Sequence, residues 1–203
     1  VDAGALSILP ELLTEDLSCT PLHVLTPHAG EAAALLIALE DQGTPVQETC
    51  RWSRERVEAH PGLAAREICR RTGATVLLKG ATTLIAAPQR PLVSVDGGSG
   101  WMASAGSGDV LAGILGTVLA GAAARWEQSA PHASGADPVL DALVDSVAAG
   151  VRLHALAGAY AAASPQGAGG ARTGGHPIAA LDIASALGLA RLELNWLQAV
   201  PHA

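Results

Sequence analysis

A continuous apolar run of strand length, residues 75–79, is the feature that most restricts the fold of this chain. An alternating pattern would leave one face of a sheet in solvent, whereas a continuous run predicts a strand that is covered on both faces. Apolar residues at helical spacing precede it over residues 31–40 and 62–72. The chain is therefore expected to be an α/β protein with a buried sheet.

Other short apolar runs predict the remaining strands. In chain order they cover residues 23–25, 82–87 and 92–95. The runs at residues 82–87 and 92–95 follow closely behind the run at residues 75–79, which predicts a hairpin or meander after a parallel strand. All of these strands are expected to be covered on both faces. Residues 1–6 resemble the end of a strand that leads through a loop into a helix. Since these strands are too few for a self-sufficient sheet, we expect further N-terminal strands before Val1.

The rest of the chain alternates between helices and loops. Apolar residues recur at helical spacing from Val110 to Leu119 and again over residues 140–163, and these two helices are expected to pack together. A final helix is predicted over residues 178–197 with an interruption at Gly188. Polar or glycine-rich loops are predicted after residue 40 and at residues 48–61, 124–138 and 164–177.

Composition excludes several classes of protein. The 203 residues are 49% apolar, which suits one domain over residues 1–203 that lacks its N-terminal strands. Lys and Arg number 12 against 19 Asp and Glu, with no basic cluster, so nucleic acid is not expected as a partner. The apolar run at residues 110–124 is shorter than the roughly 20 residues that span a bilayer, so we expect a buried helix and no membrane association.

The cysteines indicate the compartment. Cys19, Cys50 and Cys69 are odd in number and widely spaced, which predicts neither a disulfide framework nor a zinc site. No charged leader or cleavage signature opens the chain. A cytoplasmic location is expected, and the roles of the three cysteines stay open.

A segment of small residues, 97–108, leads directly into the helix that contains Val110. It predicts unshielded N–H groups at a helix N-terminus, where the helix dipole favours a phosphate. Asp109 would repel that phosphate unless it accepts the proton of a hydroxyl that attacks it. The alternative, at even odds, is that Ser107 caps the helix and Asp109 complements its dipole. The spacing is neither that of a P-loop nor that of a dinucleotide-binding Rossmann turn.

Two further segments place polar residues after strands. Lys79 ends a buried strand, and its ammonium group and the hydroxyl of Thr82 or Thr83 are candidates for contact with a nucleotide phosphate. The alternative is that the Lys79 side chain simply extends to solvent. In residues 26–31, His28 is a candidate for substrate binding and Glu31 for organising magnesium through water. The alternative there is a helix capped by Thr26, with a proline in its first turn and a histidine without a role.

Three motifs together resemble the ADP/ATP-dependent NAD(P)H-hydrate dehydratase family, which belongs to the ribokinase-like superfamily. They are Thr26-Pro-His-x-Gly-Glu31, Leu78-Lys-Gly-Ala-x-Thr83 and Gly100-Trp-Met-Ala-x-Ala-Gly-Ser-Gly-Asp-Val-Leu-Ala-Gly113. The likeness extends from Asp2 to about Ala162. It implies a three-layer α/β/α fold with a mainly parallel central sheet, and a chain that is the C-terminal part of a longer polypeptide.

The resemblance also implies a reaction. In this family the hydrated, non-functional form of NADH or NADPH is phosphorylated on its ring hydroxyl by ADP, or by ATP in eukaryotes, and phosphate is then eliminated, with Mg²⁺ as the expected metal. Homo-oligomers and a fused or separate epimerase domain are the expected partners. The residues that match the family's site are, in turn, the base and substrate contact Asp109; the anion hole Gly106, Ser107 and Gly108; the nucleotide-binding residues Lys79, Gly80, Ala81, Thr82, Thr83 and Gly108; and the substrate contact His28.

Some positions depart from the family's pattern. They are Gly4, Ser104, Ala105 and Ala159. Two other functions therefore stay open: a ribokinase-like kinase of another small alcohol, such as a thiamin precursor, and an inactive nucleotide-binding or assembly module. Restoration of NADH from its hydrate in the presence of ADP distinguishes the dehydratase from both.

Overall fold

The computed structural model describes residues 1–14, 18–40, 51–96, 98–128, 138–163 and 175–199. In chain order the elements are α1 (Gly4–Thr14), β1 (Val24–Leu25), α2 (Ala29–Glu40), α3 (Arg54–Ala59), α4 (Pro61–Thr72), β2 (Thr75–Leu78), β3 (Thr82–Ala86), β4 (Val93–Asp96), a 3₁₀ turn (Gly100–Met102), α5 (Ser107–Gln128), α6 (Pro138–Ala162) and α7 (Ala180–Ala199). The predicted α/β class is confirmed, and the predicted helices and strands occur in the expected order with one additional helix, α3. The loop predicted at residues 124–138 is wrong for residues 124–128, which belong to α5, because the helix continues past the apolar run. Residues 41–47, 129–137 and 164–174, the other parts of the predicted loops, lie outside the described residues.

The sheet has four strands in the order β1-β2-β3-β4 among the described residues. β1 and β2 are parallel, with Val24 opposite Thr75, whereas β2 and β3 are antiparallel, with Leu77 opposite Ile85. The described part of the sheet is thus mixed rather than mainly parallel. The predicted hairpin accounts for this difference, because two strands joined by a short turn have to run antiparallel.

Val1 is hydrogen-bonded to the chain at β1. Its carbonyl accepts a hydrogen bond of 3.0 Å from the N–H of Thr26, while its nitrogen donates to the carbonyl of Val24 at 2.7 Å. The backbone groups of Leu25, between Val24 and Thr26, point towards β2 instead, because alternate residues of a strand direct their backbone groups to opposite sides. The helix predicted after the opening residues is present as α1, but residues 1–3 belong to no strand, and Val1 is joined to the chain around β1 by these hydrogen bonds instead.

The chain divides into two compact units, Val1–Val95 with Ser129–Asp145, and Asp96–Gln128 with Ser146–Ala203. The first unit contains α1 to α4 and almost the whole sheet around one apolar core. All four residues of β2 are buried, as the continuous run predicts, but those of β4 alternate between exposed and partly buried. The prediction that every strand is covered on both faces is therefore wrong for β4.

The segment at residues 48–61, predicted to be a solvated excursion, contains a helix where it is described. α3 begins after Ser53, whose hydroxyl accepts a hydrogen bond from the N–H of Arg56. Val57 is fully buried and Trp52 is 7% exposed, with the Arg56 guanidinium 5.0 Å from its ring centre. The prediction failed because two apolar side chains among many charged ones suffice to attach a short helix to a core.

The second unit contains α5, most of α6, and α7. α6 approaches α5 at Gly150, in keeping with the predicted packing: a Cβ on Gly150 would lie 2.9 Å from Leu115 Cδ2 and 3.7 Å from Ile114 Cγ2 of α5. α7 continues through Gly188, so the predicted interruption is wrong. A single glycine costs a helix interior only about 1 kcal/mol, which packing of α7 offsets.

One helical segment among the described residues, Ser107–Ala124, is long and apolar enough to cross a membrane. This criterion uses length and composition alone, and many helices of soluble proteins satisfy it. Ile114 and Leu115 on this segment are buried, but only 28% of the segment is, so the prediction of a short buried helix is wrong for most of its length.

Candidate functional site

The loops that follow β1 and β2 lie side by side. The parallel register of the two strands continues to His28, which pairs with Lys79, and the Lys79 N–H donates a 2.8 Å hydrogen bond to the carbonyl of Pro27. Two of the predicted segments therefore meet at the carboxyl ends of parallel strands, the edge at which α/β sheets bind ligands.

Lys79 forms the centre of a charged cluster at this edge. Its Nζ lies 2.8 Å from Asp2 Oδ1 and 3.7 Å from Glu31 Oε2, and all three side chains are less than a quarter exposed. Burial alone would raise the pKa of Asp2, but the hydrogen bond and charge of Lys79 hold this pKa below its ordinary value. We define Asp2, His28, Glu31 and Lys79 as the strand-end cluster. Lys79 is thus an ion-paired residue rather than a lysine that extends to solvent.

His28 and Glu31 form the start of α2. The N–H groups of Gly30 and Glu31 donate to His28 Nδ1 at 3.0 and 3.2 Å, and the His28 N–H donates to Glu31 Oε2 at 2.8 Å. This reciprocal arrangement is that of a capping box with histidine as the cap. The alternative that Thr26 caps the helix is wrong, because Pro27 and His28 stay extended beside Lys79. The His28 side chain is 59% exposed, with its Nε2 3.6 Å from Glu31 Oε2.

A magnesium ion bound by protein groups alone does not fit the described residues. They contain no group of three or more His, Cys, Asp or Glu side chains that could hold a metal ion. The Glu31 carboxylate already accepts a hydrogen bond from His28 and lies beside Lys79. Mg²⁺ is usually bound by one or two carboxylates together with substrate phosphates. The sequence-based hypothesis for Glu31 therefore stays a prediction about the substrate-bound protein.

The turn between β2 and β3 carries the other predicted nucleotide-binding residues. Ala81 and Thr82 are exposed, whereas Thr83 is 4% exposed and belongs to the buried part of β3. A Cβ on Gly80 would lie 3.2 Å from the carbonyl oxygen of Thr82, so this turn favours glycine. Of the two candidate hydroxyl groups, that of Thr82 is the accessible one.

The start of α5 has the backbone geometry predicted for an anion site. Gly106 has a φ of +85°, a conformation that other residues rarely adopt, and Ser107 begins the helix. The N–H of Ser107 donates to Ser104, and that of Val110 to Gly106. Among the described residues, the N–H groups of Gly108 and Asp109 donate to no other group. These are the unpaired first-turn donors that can bind an anion.

Asp109 presents its carboxylate beside these donors. The side chain is exposed, and its Oδ2 lies 3.9 Å from the position that a Cβ on Gly106 would occupy. The carboxylate thus folds back over the loop that precedes the helix. Because no other described side chain pairs with it, it is available to accept a proton.

Sequence reasoning missed one residue at this helix end. His154, on α6, is 8% exposed, and its Nε2 lies 3.4 Å from the hydroxyl of Ser107. Burial lowers the pKa of His154, and a hydrogen bond with the backbone of Ser107 partly opposes that change. The residues are separated by 47 positions in sequence, so no local pattern connects them. The strand-end cluster belongs to the first unit, and this helix end belongs to the second.

Comparisons with known proteins agree on one family. The sequence profile described as NAD(P)H-hydrate dehydratase matches residues 1–171. An ADP-dependent (S)-NAD(P)H-hydrate dehydratase from Neisseria meningitidis is 38% identical over 167 residues, which are 81% of this chain and 51% of that protein. The bifunctional NAD(P)H-hydrate repair enzyme Nnr from Mycobacterium tuberculosis is 40% identical over 133 residues, 64% of this chain and 24% of that enzyme.

Solved structures show the same fold. An ADP/ATP-dependent NAD(P)H-hydrate dehydratase from Bacillus subtilis, co-crystallised with ATP and Mg²⁺, aligns with a TM-score of 0.52 at 20% identity. The alignment covers 84% of this chain and 47% of that one. YxkO from Bacillus subtilis, described as a putative kinase, aligns with the same score. The ribokinase-like fold expected from the motifs is confirmed, and the chain spans about half the length of the Neisseria relative.

Proposed function

Because the chain belongs to the NAD(P)H-hydrate dehydratase family, we propose that the protein containing it restores hydrated NADH or NADPH to the reduced cofactor at the expense of ADP. The chain covers 51% of the Neisseria relative, so the proposal concerns the protein in its full-length form. The proposed substrate is the S hydrate, the form for which the Neisseria relative is named.

The single observation that carries this proposal is the start of α5. Two unpaired N–H groups, those of Gly108 and Asp109, stand at the positive end of a 22-residue helix, with an exposed carboxylate in the same turn. A site for a transferring phosphoryl group needs donors for the charged oxygens and a base for the attacking hydroxyl. The first turn of α5 offers both within three residues.

The proposed reaction has two steps. The ring hydroxyl of the hydrate attacks the terminal phosphoryl group of ADP while Asp109 accepts its proton, so that an O–P bond forms and AMP leaves. The amide groups at Gly106, Ser107 and Gly108 are proposed to bind the transferring phosphoryl oxygens. The Ser107 N–H, which donates to the carbonyl of Ser104 at 3.2 Å, has to exchange that bond for a phosphoryl oxygen. The carbon–oxygen bond of the phosphate ester then breaks, a neighbouring carbon loses a proton, and the ring double bond of the reduced nicotinamide returns with release of phosphate.

The residues after the strands are proposed to bind the two substrates. Lys79, Gly80, Ala81, Thr82 and Thr83, with Gly108, are proposed to contact the nucleotide, and His28 to contact the hydrated cofactor through its largely exposed side chain. The Lys79 ammonium is paired with Asp2, so its contact with a phosphate has to compete with that carboxylate. Mg²⁺ is proposed to arrive with the nucleotide phosphates, because the described side chains form no ligand set of their own.

We also propose the setting of this reaction. An epimerase that interconverts the R and S hydrates, fused or separate, is the expected partner activity, and the protein is expected to be a cytoplasmic homo-oligomer. The bifunctional repair enzyme of Mycobacterium tuberculosis, of which this chain covers 24%, supports the fused arrangement.

The decisive experiment is an assay of the purified full-length protein with hydrated NADH. Recovery of the near-ultraviolet absorbance of reduced nicotinamide with ADP, and its absence when ADP is omitted, is the expected result. Phosphorylation of another alcohol without recovery of NADH would instead identify a small-molecule kinase. Nucleotide binding with no turnover of any acceptor would identify an inactive binding module. A parallel assay with ATP measures the preference between the two nucleotides.

A further inference from the structure

The anion-binding backbone at the start of α5 has few side chains that could fix its conformation. Gly106 and Gly108 have none, and the Asp109 side chain is exposed. Within residues 106–108, Ser107 alone has a side chain, which is 8% exposed. The orientation of the neighbouring amide groups therefore depends on the groups that hold Ser107.

His154 is the buried group that meets the Ser107 hydroxyl. Its Nε2 lies 3.4 Å from Ser107 Oγ, and the histidine is more than nine-tenths buried. Its helix, α6, cannot move easily relative to α5, because the backbone at Gly150 contacts the side chain of Leu115. Val151 and Ala155, next to it along the helix, are also buried. The imidazole is therefore a rigid support for the start of α5.

The histidine supports this helix end without adding charge to it. Because burial lowers the pKa of His154, the ring is neutral near pH 7 and offers one donor and one acceptor nitrogen. A buried side chain of this kind serves no purpose in simple packing, since an apolar residue of similar size would cost less to bury. The contact with Ser107 gives it a function.

We propose that His154 is a positioning residue of the phosphoryl-transfer site: through the Ser107 hydroxyl it holds the amide groups of Gly106, Ser107 and Gly108 in the arrangement that binds the transferring phosphoryl group. This inference rests on the function proposed above. It extends that function to a residue on a different helix, which touches neither substrate.

The first test separates positioning from folding by kinetics. His154→Leu keeps the bulk of the side chain and removes the hydrogen bond, whereas His154→Gln places an amide nitrogen at a similar reach. We expect the leucine variant to lose about 10- to 100-fold in kcat, with the KM for ADP changed less than about threefold, because small misplacements act mainly in the transition state. The glutamine variant should recover most of the loss. His176→Leu, at an exposed position of the same unit, is the matched control.

A double-mutant cycle shows whether His154 acts through Ser107. If it does, His154→Leu should add little to the loss caused by Ser107→Ala, since both changes remove one contact. If the losses in kcat of the two single variants multiply in the double variant, the inference is overturned. A folded His154→Leu variant with unchanged kcat would overturn it as well. If the leucine variant does not fold, Ser107→Ala decides alone: unchanged kcat in that variant contradicts the proposal.

A binding experiment tests the inference without turnover. Inorganic phosphate should shift the amide resonance of Gly108 in the unaltered protein, more weakly in His154→Leu, and again normally in His154→Gln. If the unaltered protein does not restore hydrated NADH but shows this pattern, the proposed function fails while His154 keeps its positioning role. If phosphate leaves the Gly108 resonance unmoved in the unaltered protein, the helix end holds no anion and the inference falls.

Discussion

The Lys79 ammonium lies 2.8 Å from Asp2 Oδ1, although the two residues are 77 positions apart in sequence. Both side chains are less than a fifth exposed, so neither charge has full access to water. The pair connects the end of β2 to the segment that precedes α1. Lys79 is thus both a structural ion-pair partner and a candidate phosphate contact.

Removal of one partner from this pair should destabilise the protein. We expect Lys79→Met to lower the free energy of unfolding by about 1–3 kcal/mol, because it leaves the Asp2 carboxylate without its partner. The double variant Lys79→Met with Asp2→Asn should recover part of the loss. Urea denaturation measures both. Arg54→Met is the control: Arg54 is 70% exposed and its ion-pair partner Glu58 is 51% exposed, so this change should cost less than about 1 kcal/mol. Equal losses of unfolding free energy in Lys79→Met and Arg54→Met would contradict the expectation that the buried pair stabilises the protein more than the exposed pair.

The two roles of His28 can be separated by substitution. His28→Ala should destabilise the protein by about 1 kcal/mol, because it removes the acceptor for the N–H groups of Gly30 and Glu31. His28→Asn should restore most of this stability, since asparagine is an effective cap. Both variants lack Nε2, so both should show a raised KM for hydrated NADH. Thermal melting and initial rates measure the two effects. A normal KM in the asparagine variant would show that His28 has a capping role alone.

Asp109→Asn is expected to remove catalysis and spare nucleotide binding. The substitution eliminates the proposed base but leaves the amide donors of the helix end in place, so turnover should fall by about 10²- to 10⁴-fold. The affinity for ADP, measured by calorimetry, should stay within a few-fold. A comparable loss of ADP affinity would indicate instead that Asp109 serves the structure of the helix start.

Gly106 should tolerate no side chain. Its φ of +85° costs other residues about 1–2 kcal/mol, and a Cβ there would lie 3.1 Å from the Cβ of Ala180. Gly106→Ala is therefore expected to lower both stability and turnover. Gly188→Ala is the matched control: a Cβ there meets nothing within 4 Å, and the helix should gain about 0.5–1 kcal/mol. Denaturation curves of the two variants should shift in opposite directions.

The ion pairs of Glu67 should make the stability of the protein fall at acid pH. Hydrogen bonds from Arg70 and, to a smaller extent, from Arg71 lower the pKa of Glu67 from 4.5 to about 2. The unfolded chain binds this proton more readily than the folded protein, so the stabilisation is complete above about pH 4.5 and is lost as the pH falls towards 2. Glu67→Gln should cost about 1 kcal/mol near neutral pH, with the difference vanishing at the acid end. Glu58→Gln, at a more exposed ion pair, is the control. A difference that is independent of pH would contradict this assignment.

The family was identifiable from three motifs, and the matching profile over residues 1–171 confirms it. The elements that carry these motifs were predictable for a physical reason. The continuous apolar run of β2 and the helical stripe of α5 each express burial along one element, and burial follows local spacing. The small residues before Asp109 likewise predict the backbone of the helix start.

Other features required contacts between distant segments. The capping residue of α2 is His28 rather than Thr26, because pairing with Lys79 keeps the chain extended for two further residues. α3 forms because Trp52 and Val57 reach a core that a local window does not show.

The sequence by itself determined the family, the α/β class and the residues able to do the chemistry, since these depend on side-chain type and spacing along the chain. Tertiary structure alone decided that Lys79 is paired with Asp2, that the pairing of His28 with Lys79 moves the cap of α2 from Thr26 to His28, and that His154 lies against Ser107. Those relationships are distances between residues far apart in sequence, and a distance of that kind is set by packing.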